Sequence, residues 1–220
     1  MKKIHVSPSL IAADFTRLET EIQNVIDAGA QSLHFDVMDH HYVPNLSIGA
    51  LVCESIHQRF PDLFIDVHLM VTDPTLYLAP FSKAGASQIS VHPETCNDTA
   101  KTLQDIRNRG MRAGVVFNPD QPVQLEDTWL PNLDHLLIMS VFPGFGGQSF
   151  IPESVEKIRS TRAWLDKKQL STTLAVDGGI APATIGDCAR AGADFFVVGS
   201  ALFGTTCYKK TMARLVAECQ

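Results

Sequence analysis

The chain predicts an α/β fold: a single-domain (β/α)8 barrel of the TIM type across residues 1–220. Three observations carry that expectation. Eight short apolar runs recur along the chain, helical patterns fill the gaps between them, and glycines sit where helices should end and strands begin. The glycine signal is an internal echo. Ala28-Gly29-Ala30, Ala84-Gly85-Ala86 and Ala191-Gly192-Ala193 each close a helical pattern and precede a β-rich run, and Gly110 stands in the same place before residues 113–117. Glycine accepts the left-handed conformation that closes a helix. An open doubly wound sheet would share the alternation, but its glycine-rich nucleotide turn is missing after the first run.

Taken in order, the first strand is expected over 4–10, and Asp14 is placed to cap a helix over 15–28. The second strand, 32–37, contains Leu33-His34-Phe35-Asp36, and the third, 64–70, contains Asp66-Val67-His68-Leu69. Both alternate polar with apolar, so each strand turns its polar groups to one side. Asp73 before Pro74 opens a helix over 73–84, and a strand follows at 88–92. Strands over 112–117 and 135–141 come next, the latter running into a glycine-rich loop at 143–150 and a helix beginning near Ile151. The final strands are 172–177 and 195–198.

With 220 residues, 45% of them hydrophobic and 19% charged, the chain is long enough to bury a substantial core within one domain. A formal net charge of -6 without clustered Lys and Arg excludes a nucleic-acid surface, so any phosphate must be gripped locally. Met1-Lys2-Lys3-Ile4-His5-Val6 lacks the apolar stretch of a signal peptide, and no window reaches the roughly 18 apolar residues of a membrane span. Cys53, Cys96, Cys188, Cys207 and Cys219 are scattered and odd in number, as free thiols in a reducing compartment would be. No membrane partner and a cytoplasmic location are therefore expected.

His34, Asp36, His68 and Asp177 each lie near the end of a predicted strand. A barrel brings those ends to one mouth, where burying charge is costly unless a cation lies between the groups. Imidazole mixed with carboxylate suits one divalent ion of Zn, Fe, Mn or Co better than Ca. Any one of the four, taken alone, reads as a core histidine or a turn aspartate; together they read as a metal site. Asp66, one layer deeper than His68, is expected to organise the surrounding shell.

Pro143-Gly144-Phe145-Gly146-Gly147-Gln148-Ser149-Phe150 follows the sixth strand. Its glycines could turn backbone N–H groups around an anion, or could simply form a flexible loop. Gly178-Gly179 and Gly199-Ser200 follow the next two strands, which places glycine-rich backbone at three adjacent mouths and favours a phosphate grip. Met38, Met70 and Met139 fall at strand ends, as packing residues or as a dry ceiling over a reacting carbon. Ser9 is placed either to hydrogen-bond a substrate hydroxyl or to cap a turn. His40 and His41 read as loop residues, His92 either reaches the mouth or plays a strand-end structural role, and His5, His57 and His135 have no partner at useful spacing.

Ser7-Pro8-Ser9-Leu10, His34-Phe35-Asp36-Val37-Met38-Asp39, His41-Tyr42-Val43-Pro44-Asn45, Asp66-Val67-His68-Leu69-Met70-Val71, the 143–148 loop and Val176-Asp177-Gly178-Gly179 closely resemble the ribulose-phosphate 3-epimerase family. The similarity runs in order over essentially the whole chain. It implies a barrel of the ribulose-phosphate-binding type acting in the pentose phosphate pathway. It also implies that His34, Asp36, His68 and Asp177 hold one divalent metal while Asp36 and Asp177 exchange protons. Asp36 would be the base and Asp177 the acid for D-ribulose 5-phosphate, with the roles reversed for D-xylulose 5-phosphate. Substrate would be contacted by Ser9, His68, Gly144, Phe145, Gly146, Gly147, Gly178, Gly179, Gly199 and Ser200, under a methionine cluster of Met38, Met70 and Met139. Homo-oligomers are a further implication.

Two positions depart from the family pattern: Phe142 stands where a polar residue is usual, and Ala175 where a Glu is usual. By alternation Ala175 shares the inward face of Asp177, so a deep polar contact is expected to be missing. Rival readings are a 3-epimerase of a six-carbon ketose phosphate such as allulose 6-phosphate, a metal-dependent phosphosugar lyase, and a noncatalytic phosphosugar sensor.

Overall fold

In the computed structural model, which describes residues 4–220, strands and helices alternate from end to end. Met1, Lys2 and Lys3, part of the segment read as lacking a signal peptide, lie outside the described residues. The elements are β1 (His5–Pro8), α1 (Leu18–Asp27), β2 (Ser32–Met38), α2 (Ala50–Arg59), β3 (Phe64–Met70), α3 (Thr75–Lys83), β4 (Gln88–Val91), α4 (Thr99–Asn108), β5 (Arg112–Phe117), β6 (His135–Met139), α5 (Ser154–Lys167), β7 (Thr173–Asp177), α6 (Ile185–Ala191), β8 (Phe195–Val198), α7 (Ser200–Phe203) and α8 (Tyr208–Glu218). The strands form one eight-stranded parallel sheet in the order β1-β8-β7-β6-β5-β4-β3-β2. This is the (β/α)8 barrel that the alternation predicts.

Closure between β1 and β2 rests on a single parallel bridge, Ser9 to His34. Proline explains the thin seam. The amides of His5 and Ser9 donate to Asp194 and Val198, on the β8 side, so the hydrogen that Pro8 lacks would have faced β2. Side chains inside the barrel link the two strands instead. His5 Nε2 lies 2.7 Å from Ser32 Oγ, Ser32 Oγ donates to Ser7 Oγ at 2.7 Å, and Ser9 Oγ donates to Asp36 Oδ2 at 2.7 Å.

Element ends differ from expectation where local chemistry intervenes. The first strand stops at Pro8 because Leu10–Ala12 turns into a 3-10 helix, and the fourth and sixth end at Val91 and Met139. Asp14 does cap a helical turn, accepting from the Thr16 amide at 3.0 Å, but that turn is a 3-10 segment (Phe15–Arg17) before α1. Asp73 accepts from the Thr75 amide at 3.0 Å, and α3 begins at Thr75, after Pro74. Among the described residues, no helix is long and apolar enough to cross a membrane.

The main core lies between sheet and helices. Phe35 on β2 meets Phe81 on α3 edge to face, with centroids 6.0 Å apart, and Leu33, Ile65, Val67 and Ile89 are sealed beside Ile22, Val25, Leu103 and Ile106. Burial at about 25 cal/mol per Å2 of apolar surface drives this layer together. The barrel interior is divided. On the β1 to β4 side it carries buried Ser7, Ser32, His34, Asp36, Asp66, His68, Gln88 and Ser90, whereas on the β5 to β8 side Val116, Leu137, Met139, Val141, Ala175, Phe195 and Val197 pack with one buried imidazole, His135, among them. Ala175, expected to leave a deep polar contact missing, is fully buried among these apolar neighbours.

Candidate metal centre and active site

Register brings the chemistry to one level. Parallel pairing sets His34 beside Asp66 and Asp36 beside His68 across β2 and β3, and Met38 beside Met70 one layer above. Asp177 ends β7, where the Ser140 amide and hydroxyl both donate to its carbonyl oxygen, at 2.7 and 2.9 Å. One ligand atom each from His34, Asp36, His68 and Asp177 can be chosen so that all lie within 4.8 Å of one another.

The donor atoms face inward because their other atoms are held. His34 Nδ1 lies 2.8 Å from Asp66 Oδ2, and Asp66 Oδ1 accepts from Gln88 Nε2 at 2.7 Å. Asp66 therefore holds the His34 ring, as its position one layer down suggested. This leaves His34 Nε2 buried without a hydrogen-bond partner, 3.3 Å from Asp36 Oδ1 and 3.9 Å from Asp177 Oδ2. His68 Nδ1 lies 3.3 Å from the same Asp36 oxygen, while Ser9 holds Oδ2. Nitrogen and oxygen ligands bonded at ~2.0–2.1 Å to a shared ion at a tetrahedral angle stand about 3.3 Å apart, so the donor set fits a divalent metal.

Electrostatics separates the two carboxylates in the ion-free site. Burial opposes the charge on Asp36, but the imidazole of His34 beside it outweighs that and holds Asp36 well below the usual carboxylate range. Burial and then the negative charge of Asp36 push Asp177 up to about 7. Burial also lowers His34, yet Asp36 and Asp66 more than compensate and raise it well above 6.5. The field that draws a proton onto His34 is the field that would draw a cation. Burial keeps His68 and His92 low, the latter at about 4, so both rings are neutral near pH 7.

Above this cluster is a cavity of about 210 Å3, below the ~300–1,000 Å3 of sites for drug-sized ligands and suited to a compact metabolite. Ser9, Asp36, Asp177 and the three methionines line it, together with Gly144, Phe145, Gly146, Gly147, Gly178, Gly179, Gly199 and Ser200. The methionines belong to two groups: Met38 and Met70 pack with Val43, and Met139 with the apolar half of the barrel. His34 and His68 are fully buried and do not line the cavity. For His68, expected to touch substrate as well as metal, the reason is its seat between Asp36 and His92.

Backbone conformation makes the glycines at the end of β7 specific. Gly178 has φ +114, and a Cβ there would meet Val141 at 2.5 Å; at Gly179, φ +62, it would meet the Phe150 backbone nitrogen at 2.5 Å. The 143–148 loop is tied down by Asn45 Nδ2, which donates to the Gly144 carbonyl at 2.7 Å, and by Gln148 Nε2, which donates to the Phe142 and Phe145 carbonyls. Phe142 and Phe145 stand at the cavity rim, 52% and 57% exposed. Gly199 opens α7, whose first N–H groups have no acceptor within their own helix.

Two contributors, Ser47 and Ser140, were not legible as site residues. His92, read either as reaching the mouth or as a strand-end structural residue, lies with Nε2 2.9 Å from His68 Nε2. Ser47 donates to the Asp36 carbonyl at 2.6 Å and accepts from the Met38 amide, and Ser140 holds the end of β7. The only sequence signal for His92 was its place at the end of an apolar run. Of the other histidines, His5 does find a partner in Ser32, while His41 Nδ1 lies 2.7 Å from the Asp39 carbonyl oxygen in its own loop.

A family model described as the ribulose-phosphate 3 epimerase family matches residues 5–203. The chain is 47% identical over 210 residues to the ribulose-phosphate 3-epimerase of Serratia marcescens, covering 96% of this chain and all of that one. It is 45% identical over 218 residues to the enzyme of the same name from Escherichia coli strain K12, covering 99% and 97%. A solved 3-hexulose-6-phosphate synthase from Salmonella typhimurium superposes with a TM-score of 0.69 over 100% of this chain and 98% of that one; at 17% identity it shares the fold.

Proposed function

Since the chain belongs to the ribulose-phosphate 3-epimerase family, we propose that it interconverts D-ribulose 5-phosphate and D-xylulose 5-phosphate by moving a proton at carbon 3. The convergence of His34, Asp36, His68 and Asp177 beneath a glycine-rimmed cavity that Asp36 and Asp177 line is the observation that carries this reading. Inversion next to a carbonyl requires a base on one face of the carbon and an acid on the other, in different protonation states. Asp36, held ionised, removes the proton from ribulose 5-phosphate, and Asp177, the carboxyl group with the raised pKa, returns one to the opposite face. From xylulose 5-phosphate the roles reverse.

His34, Asp36, His68 and Asp177 would hold one divalent ion, of Zn, Fe, Mn or Co. When bound, the ion supplies positive charge beside the carbonyl and hydroxyl oxygens, where an enediolate develops. Ser9 fixes the Asp36 carboxylate through Oδ2, leaving Oδ1 toward the histidines. Met38, Met70 and Met139 exclude water above the reacting carbon. Gly144, Gly146, Gly147, Gly178, Gly179, Gly199 and Ser200 grip the phosphate through backbone N–H groups, with Phe145 at the rim. A local grip is what a chain of net charge -6 requires.

Residues 1–220 act as one catalytic domain, because the proposed ligands are spread from β2 to β7. Its compartment is the cytoplasm, consistent with five unpaired cysteines, and its partner is a small phosphosugar and neither nucleic acid nor membrane. Identical copies are expected to associate; Leu46, Leu51 and Leu76, 71%, 77% and 70% exposed, are apolar surface available for that.

Proton NMR of ribulose 5-phosphate with the protein in deuterium oxide, before and after metal removal, tests the proposal. Deuterium at carbon 3 and new xylulose 5-phosphate, both lost on stripping metal, are expected. No exchange by metal-loaded protein would overturn it. Faster turnover of allulose 6-phosphate would move the substrate to six carbons, and a released aldehyde would indicate a lyase.

A further inference from the structure

A chain of hydrogen bonds leaves the metal cluster from His68 through His92, a buried histidine that the proposed chemistry does not use. His68 Nε2 lies 2.9 Å from His92 Nε2, and His92 Nδ1 lies 2.9 Å from the Tyr42 phenol oxygen. The Tyr42 hydroxyl donates to Glu94 Oε1 at 2.7 Å. That same carboxylate oxygen also accepts from Asn118 Nδ2 and Gln121 Nε2, each at 3.0 Å, and Asn118 Nδ2 donates to the Tyr42 oxygen at 2.8 Å. The participants come from β3, the β2–α2 connection, the end of β4 and the end of β5. His68 and His92 are fully buried, and their rings are tilted by 31° with centroids 5.1 Å apart.

Taken from the outer end, Glu94 fixes the direction of each bond as far as His68, whose remaining contact, Nδ1 to Asp36 Oδ1, depends on the tautomer. Glu94 is surrounded by donors and acts only as an acceptor, so the single Tyr42 proton points to it. The Tyr42 oxygen, with its own proton committed, can then only accept, and His92 must present a hydrogen on Nδ1. A neutral imidazole carries one hydrogen, so His92 Nε2 is a lone pair. The hydrogen between the two rings must therefore belong to His68 Nε2. His68 Nδ1 is left as a lone pair, 3.3 Å from Asp36 Oδ1 and turned toward the metal cluster. Two acceptors facing each other repel unless a cation lies between them.

We propose that His92 is a positioning residue, which with Tyr42 and Glu94 locks His68 in the tautomer and orientation that presents Nδ1 to a divalent metal ion. The proposal rests on the reading of the cluster as a metal site. It assigns the β2–α2 loop a role beyond shaping the cavity: Tyr42 anchors the outer side of a metal ligand. His34 is locked in the corresponding way by Asp66, which holds its Nδ1 and leaves its Nε2 unpartnered. The two histidines thus present opposite ring nitrogens to one place, each because its other nitrogen is bonded. Outer partners of this kind change metal affinity by about 10–100-fold.

The test is zinc affinity by chelator competition, with nitrogen-15 NMR of the imidazoles in metal-free protein. His92→Leu removes the acceptor, and zinc should bind about 10–100-fold more weakly. His92→Gln keeps an acceptor near His68 and should recover most of the loss. Tyr42→Phe keeps the ring but frees His92 to change tautomer, so it should weaken zinc binding and mix the His68 tautomers; it also serves if His92→Leu does not fold. Zinc affinity within threefold of the parent in folded His92→Leu or Tyr42→Phe would overturn the proposal, as would a parent His68 carrying its hydrogen on Nδ1. A parent protein that binds no divalent ion would instead remove the metal reading on which the proposal stands.

Discussion

Ser9 Oγ donates to Asp36 Oδ2 at 2.7 Å, and this bond spans the seam where β1 and β2 share only one backbone bridge. One contact thus serves both closure of the barrel and orientation of the proposed base. Ser9→Ala should lose about 1.5–3 kcal/mol, the usual worth of a hydrogen bond to a charged group. Turnover should also fall, because Asp36 would be free to rotate. Urea unfolding and kcat, measured on the same preparation, check this; a loss of stability with unchanged kcat would confine Ser9 to the seam.

The two carboxylates should separate in isotope exchange. With Asp177→Asn, Asp36 can still remove the proton from ribulose 5-phosphate and return a deuteron to the same face, so the substrate should acquire deuterium without becoming xylulose 5-phosphate. Asp36→Asn should abolish exchange from the ribulose side. Net epimerisation should fall by about 10^2–10^4-fold or more in each. NMR in deuterium oxide reads both products, and near-normal epimerisation by either variant would contradict two-carboxylate transfer.

His135 should make the fold sensitive to acid. Its buried ring has neither nitrogen hydrogen-bonded, and burial lowers it to about 4 against an ordinary 6.5. Above pH 6.5 the ring is neutral in folded and unfolded chains alike. Between 6.5 and 4 the unfolded chain binds a proton that the folded chain refuses, so stability declines, by about 3 kcal/mol in all. His135→Leu should reduce that decline while leaving stability at pH 8 within about 1 kcal/mol, since two unpartnered polar atoms are removed with the ring. Thermal melts across this range give the answer, and an unchanged slope would exclude His135 as the source.

Gly178→Ala should damage both fold and phosphate grip. Its φ of +114 is unfavourable for alanine, and the new methyl would lie 2.5 Å from a Val141 side-chain carbon and 2.8 Å from the Val141 nitrogen. A loss of about 1–3 kcal/mol is expected, with a rise in KM for the phosphosugar and weaker inhibition by inorganic phosphate. Parental phosphate inhibition in the variant would place the anion elsewhere.

Residue order alone specifies the eight strands with helices between them, the alternation that turns His34, Asp36, Asp66 and His68 inward, and the glycine turns at the strand ends. These are local properties, since strand period and glycine conformation depend on a few neighbouring residues. The long motifs made the proposed ligand set legible as well. Pairing between strands was a different matter. His92 follows His68 by 24 residues and Tyr42 precedes His92 by 50, and no local pattern signals that their rings meet. The split of the interior into polar and apolar halves, the β1–β2 seam stitched by serines, and the separate pKa values of Asp36 and Asp177 likewise arise only on closure. Register and burial across the closed sheet decide which inward side chains share a layer, and so which charges, lone pairs and protons face one another.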